Sequence, residues 1–117
     1  MGVKGNREEP VKLSAIDEDI LTLLIGWELY GLQILDKLNN HRPIRIGFGS
    51  LYPALNRLVK KGLVEWRWGD ESEETGGARR KYYQVTGLGE YTLKQVQNYR
   101  QLLALRPTQA QASLVRG

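Results

Sequence analysis

A mixed α+β fold, mainly α, is predicted by three observations. Four stretches carry apolar residues at helical spacing, two short stretches between the third and fourth alternate in polarity, and glycine or proline stands near most of the ends. The order is helix, helix, helix, strand, strand, helix. Three helices closed by a β-hairpin make a winged helix-turn-helix, with the long last helix outside that core.

Residues 1–13 are polar and irregular and read as a flexible arm. Ser14-Ala15-Ile16-Asp17 reads as a helix start, with Asp17 also suiting the helix dipole. Ile16, Ile20, Leu23 and Leu24 recur at helical spacing, so the first helix runs to about Ile25 and stops at Gly26. Leu29 and Tyr30 open a second helical pattern, whose buried face is Leu32, Leu35 and Leu38 with Ile34 nearby. Asn39 and Asn40 close it, and Gly31 in its first turn permits close approach of another helix. Residues 41–48 form a connection containing Pro43 and Gly47, and the lone His41 reads as a surface residue there.

The third helix is predicted from Ser50 to Lys61, with Ser50 as its cap, Pro53 in its first turn and Gly62 as its stop. Leu51, Leu55, Leu58 and Val59 share one face, which leaves Tyr52, Asn56, Arg57, Lys60 and Lys61 outward. Val64, Trp66 and Trp68 alternate with Glu65 and Arg67, as in a half-buried strand whose indoles pack inward. Residues 69–77 are acidic and glycine-rich, as in an exposed loop, and Lys81 to Val85 is the return strand. Thr86 caps a long helix over Leu88 to Leu105 that Pro107 ends, leaving a loose tail. The expected units are an arm at 1–13, a winged helix at 14–86, a helix at 87–106 and a flexible tail at 107–117.

A three-helix core cannot cover about five turns of apolar helix, so a second subunit is inferred. The expected dimer interface is Leu88, Tyr91, Val96, Tyr99, Leu102 and Leu103, joined by Ile16, Ile20 and Leu24 of the first helix.

The 117 residues suit one domain, and the net charge of +4 is segregated. Five acids and one base lie between Ile16 and His41, whereas six bases and one acid lie between Arg42 and Arg67. Arg79-Arg80-Lys81 adds a further basic run. Such segregation either makes a basic surface for phosphate or simply solvates helix faces, and charge alone does not choose between them. The absence of cysteine excludes disulfides and thiolate metal sites. No apolar run reaches membrane-spanning length and no signal-peptide pattern opens the chain, so a cytoplasmic protein without a membrane partner is expected. No ordered Ser/His/Asp set, phosphate loop or His/Cys cluster suggests an enzyme or a cofactor.

Leu23-Leu24 with Leu29-Tyr30-Gly31, then Gly49 to Leu55, then Lys61-Gly62-Leu63-Val64, then Gly76 to Thr86 follow one another in a fixed order. Over roughly Leu13 to Leu93 this resembles the PadR family of bacterial transcriptional regulators. The most specific parts are Leu51-Tyr52-Pro53 at the head of the third helix and the glycine-basic-tyrosine-tyrosine return strand. The resemblance implies a homodimeric binder of double-stranded DNA, usually a repressor at a partly palindromic promoter site. It is nearest the short branch with one C-terminal dimerisation helix, and the chain also resembles cyanobacterial clock-modifying members. Two departures stand out. Gly26-Trp27-Glu28 replaces a proline and a short turn, and the last helix carries Tyr91 and Tyr99 but no tryptophan to stack on a planar drug, so an effector is not supported.

On that reading Ser50, Tyr52 and Pro53 meet phosphate at the helix start, Asn56 and Arg57 read base edges, and Lys60 and Lys61 hold the backbone. Arg79, Arg80 and Lys81 contact phosphate or the minor groove. Tyr30 either reaches the backbone or packs in the core. The alternative is a winged helix used for protein contacts without DNA.

Overall fold

The computed structural model describes residues 11–70 and 79–116. The arm expected at 1–13 falls outside the described residues up to position 10, as does the acidic loop at 71–78.

Helix α1 (Ala15–Leu24) starts as expected, on a reciprocal cap. Asp17 N–H donates to Ser14 Oγ at 3.2 Å, and Ser14 N–H donates to Asp17 Oδ2 at 3.0 Å. Ile25 caps its C-terminus and Gly26 follows at φ +78°, a conformation that glycine adopts without a Cβ penalty.

Leu29 and Tyr30 do not open a helix. They form a short strand, β1 (Leu29–Tyr30), antiparallel to the return strand, with Leu29 opposite Tyr83 and Tyr30 opposite Tyr82. Two residues carry no periodicity, so only the partner strand defines this one. Helix α2 (Gly31–Asn39) therefore begins later than expected, and its inward stripe becomes Gly31, Ile34, Leu35 and Leu38. Leu32 falls off that stripe and is exposed. The buried Asn39 closes the next loop by pairing with the Ile46 backbone in both directions, each bond at 2.9 Å.

Helix α3 (Phe48–Lys60) starts two residues earlier than the sequence suggests, with Gly47 at its N-cap. Ser50 is thus inside the first turn, its N–H donating to the Gly47 carbonyl at 3.1 Å, and its side chain is not the cap. Pro53 is also deeper, beyond the first turn, and leaves the Gly49 carbonyl without its helical donor. Leu51, Ala54, Leu55 and Leu58 face the core. At the far end Gly62, at φ +76°, donates to Val59 O, and Leu63 N–H reaches back to Leu58 O, both at 3.0 Å. This glycine cap reverses the chain into the hairpin.

Strands β2 (Val64–Trp68) and β3 (Lys81–Val85) pair antiparallel, with Val64 opposite Val85 and Trp68 opposite Lys81. The sheet has three strands in the order β1-β3-β2. Only Val64 of β2 is buried. Trp66 and Trp68 share its face but overhang the helical core, so the expected half-buried strand is exposed beyond its first residue.

Thr86 joins two elements. Its Oγ donates to Gly62 O at 2.7 Å and accepts from Gly89 N–H at 3.0 Å, which caps helix α4 (Gly87–Leu105). Only Gly89, Thr92 and Leu93 of α4 are buried in the protomer. The tail expected to be loose carries a further helix, α5 (Gln109–Arg116), opened by reciprocal bonds between Thr108 and Gln111. The core gathers Ile20, Leu21 and Leu24 of α1 with Ile34, Leu51, Leu55, Leu58, Leu63 and Tyr83. Ile20 and Leu24 are fully buried there, so they serve the protomer's own core and not a partner.

A Cβ at Gly89 would collide with the Leu63 carbonyl and the Val85 side chain, whereas one at Gly87 would meet nothing. Gly89→Ala should therefore lose about 1–3 kcal/mol of stability. Gly87→Ala should be neutral or gain up to about 1 kcal/mol. Urea midpoints at unchanged slope measure both.

Candidate nucleic-acid interface

The inward stripe of α3 determines what its other side presents. With Leu51, Leu55 and Leu58 buried, Tyr52, Asn56 and Lys60 follow one another at four-residue spacing on the exposed side. Ser50, Pro53, Arg57 and Lys61 are exposed beside them. At the helix start, backbone N–H groups carry the positive end of the dipole, suited to a phosphate. Arg57 and Lys60 in the last turn answer the negative end.

Tyr52 is held from two sides. Its ring stacks on Phe48 at 5.4 Å and 20°, and its phenol end lies against Gly31, where any Cβ would strike the hydroxyl. The glycine that opens α2 thus makes room for a side chain of α3, the close approach anticipated from the sequence. Burial raises the pKa of the neighbouring Tyr83 phenol, and Tyr52 adds to the effect.

The hairpin supplies the cations. Arg80 lies over the Tyr30 ring at 4.4 Å, and Tyr30 meets Tyr82 edge-on at 5.6 Å. Tyr30 is half-buried in this stack, at the strand end that precedes α2. Lys81 Nζ stands 4.1 Å from the Trp66 ring, and Arg79 donates to Gly69 O at 3.3 and 3.2 Å.

A groove runs between α3 and the described part of the hairpin. Of the residues anticipated from the sequence, it brings together Tyr30, Tyr52, Asn56, Arg79, Arg80 and Lys81. Ser50, Pro53, Lys60 and Lys61 lie outside it on the exposed surface of α3 and its C-cap. Leu32, Phe48 and Trp68 also line it and were missed. Phe48 sits ahead of the helix start that Ser50 suggested, and Trp68 had been assigned to the interior by strand alternation.

Arg57 is placed differently from expectation. Its guanidinium bonds the carboxylate of Asp17 at 2.8 Å, and that carboxylate side chain is only 2% exposed. Turning Arg57 to a base would uncover a buried charge, so its first role is to tie α3 to α1. Lys61 Nζ donates to the Lys12 carbonyl at 3.2 Å, at the edge of the same face. His41 lines a separate hollow with Leu23, Lys37 and Ile44 and stays in its surface loop. Among the described residues no group of three or more His, Cys, Asp or Glu could hold a metal ion, and no helix is long and apolar enough to cross a membrane.

The chain has clear relatives. The model of the Transcriptional regulator PadR-like family matches residues 20–95. An uncharacterized protein of Lysinibacillus sphaericus is 34% identical over 83 residues, which are 69% of this chain and 73% of that protein. The solved structure of a PadR-like transcription factor from Bacteroides fragilis superposes with a TM-score of 0.69 at 29% identity, covering 89% of this chain and 93% of that one. A PadR family transcription regulator from Clostridium difficile R20291 gives 0.67 at 28% identity, covering 79% and 94%. The matched segment runs from α1 through α3 and the hairpin into α4, and so through the elements that build the groove. The chain therefore belongs to the PadR-like family of transcriptional regulators, as a DNA-binding winged helix-turn-helix protein and not an enzyme.

Proposed function

We propose that this chain is a repressor that binds a partly palindromic promoter site as a homodimer, in the cytoplasm and on the nucleoid. The observation that carries the reading is the groove in which the polar side of α3 meets the basic end of β3. An α-helix fits the major groove of B-DNA, and an adjoining hairpin then lies along the backbone. In this reading Asn56 reads a base edge. Tyr52, Ser50 and Pro53 present the helix start to phosphate, while Lys60 and Lys61 neutralise the backbone. Arg79, Arg80 and Lys81 grip the flanking strand, and Tyr30 orients Arg80 beneath it. Arg57 holds α3 in place through Asp17 and is assigned no base.

The dimer follows from α4. Leu88, Tyr91, Tyr99, Leu102 and Leu103 are 48–70% exposed in the protomer, and Val96 is half-buried. Exposed apolar rows of this length call for a second copy. The half-buried Ile16 of α1 remains part of the proposed interface, without Ile20 and Leu24. No small-molecule effector is proposed, and a clock-modifying role draws no support from these features.

Selection from a pool of random duplexes should return a partly palindromic consensus; a chain that retains no duplex is a protein-contact module instead. Light scattering at micromolar concentration should give twice the 13.3 kDa of one chain, and a clean monomer removes the dimer. Replacing Arg79, Arg80 and Lys81 together with alanine should lower the slope of log affinity against log salt by about two to three units, one per phosphate contact. An unchanged slope in a folded variant takes the hairpin off the backbone. Asn56→Ala should weaken the selected duplex by about 1–3 kcal/mol and a scrambled one far less, while Lys60→Ala weakens both alike. Equal losses for Asn56→Ala would move sequence reading to DNA shape.

A further inference from the structure

The hairpin carries two of the chain's three tryptophans, and like Trp27, which is 64% exposed, both reach water. Trp66 is 38% and Trp68 47% exposed, and their rings meet edge-to-face at 5.3 Å. A tryptophan that serves packing buries its ring. Two cations stand over the pair, one at the start of β3 and one just before it. Lys81 Nζ lies 4.1 Å from the Trp66 centroid and 5.6 Å from that of Trp68, and the Arg79 guanidinium lies 5.8 Å from Trp68. Trp68 lines the groove that also holds Tyr52 and Asn56 of α3. The patch is therefore apolar and cationic at once, and continuous with the outward side of the recognition helix.

We propose that Trp66 and Trp68 are a further part of the duplex-binding surface, packing on the deoxyribose edges of the backbone while Lys81 and Arg79 hold the adjacent phosphates. The proposal rests on the reading of this chain as a duplex binder. Charge complementarity selects the occupant. The sugar-phosphate edge offers apolar carbon beside anionic oxygen, which matches indole beside ammonium. A second copy would bring the same cations against this patch and be repelled.

The test uses the full chain carrying Trp27→Phe, which silences the remaining tryptophan, itself outside the groove. Titration with the selected duplex should shift the emission of the remaining indoles and reduce their quenching by acrylamide. Trp68→Ala should weaken duplex binding about tenfold with an unchanged salt slope, and Lys81→Ala should lower that slope by about one unit. Where Trp68→Ala fails to fold, emission and acrylamide access in the Trp27→Phe chain decide the matter. Duplex binding with unchanged emission and unchanged acrylamide access overturns the proposal alone. So does an emission change that follows protein concentration without DNA, which would assign the patch to a second copy. A wild-type chain that binds no duplex removes the parent reading and this one together.

Discussion

Three consecutive acids at the start of α1 each hold an arginine from a different part of the fold. Asp17 holds Arg57 of α3 at 2.8 Å, and Asp19 holds Arg42 of the α2–α3 connection at 2.6 Å. Glu18 takes both terminal nitrogens of Arg100 on α4, at 2.6 and 2.9 Å. Successive residues on a helix point about 100° apart, so three in a row face three neighbours. The three pairs are not equal. Asp19 and Arg100 are 42% and 63% exposed, and solvent screens such pairs to about 0–1 kcal/mol each. Asp17 is buried and also completes the cap of α1, so its loss would leave Ser14 N–H and Arg57 without their partner together. Since α1 also touches α2, α3, α4 and β3, the helix proposed to read DNA and the helix proposed to pair with a second copy are both referenced to it.

These pairs change how the basic charge is read. The segment from Arg42 to Arg67 has six cations, but Arg42, Arg57 and Arg67 each answer an acid of the preceding segment, Arg67 through two 2.9 Å bonds to Glu28. The charge segregation along the chain is thus partly folded away into ion pairs. Lys60 and Lys61 are exposed at the end of α3, and Arg79, Arg80 and Lys81 stand over aromatic rings. A ring beneath a cation leaves its charge available while limiting where the side chain points, which suits a contact that must find a phosphate at fixed spacing.

Much of the fold was legible because its signals are local. The Ser14–Asp17 cap, the glycine reversals at Gly26 and Gly62 and the Thr86 cap rest on bonds within a few residues, and the inward stripe of α3 repeats with the helical period. The family resemblance rests on the same kind of pattern. The groove was half legible: Tyr52, Asn56 and the basic run at Arg79 were named from helix polarity and charge, whereas Leu32, Phe48 and Trp68 were not.

What the amino-acid order determined by itself is therefore the helical skeleton, the hairpin and the polar side of α3, since hydrogen bonds and side-chain periodicity over three or four residues specify them. Tertiary structure decided the rest. Leu29 and Tyr30 became a strand because β3 lies beside them. Leu32 turned outward because the stripe starts at Gly31, where Tyr52 needs the space. Ile20 and Leu24 were claimed by the protomer's own core, and Arg57 by an acid forty positions earlier. Trp66 and Trp68 reached water because the hairpin outruns the helices that would have covered them. Each outcome depends on which distant surface arrives opposite a residue, and the residue's immediate neighbours in sequence carry no record of that.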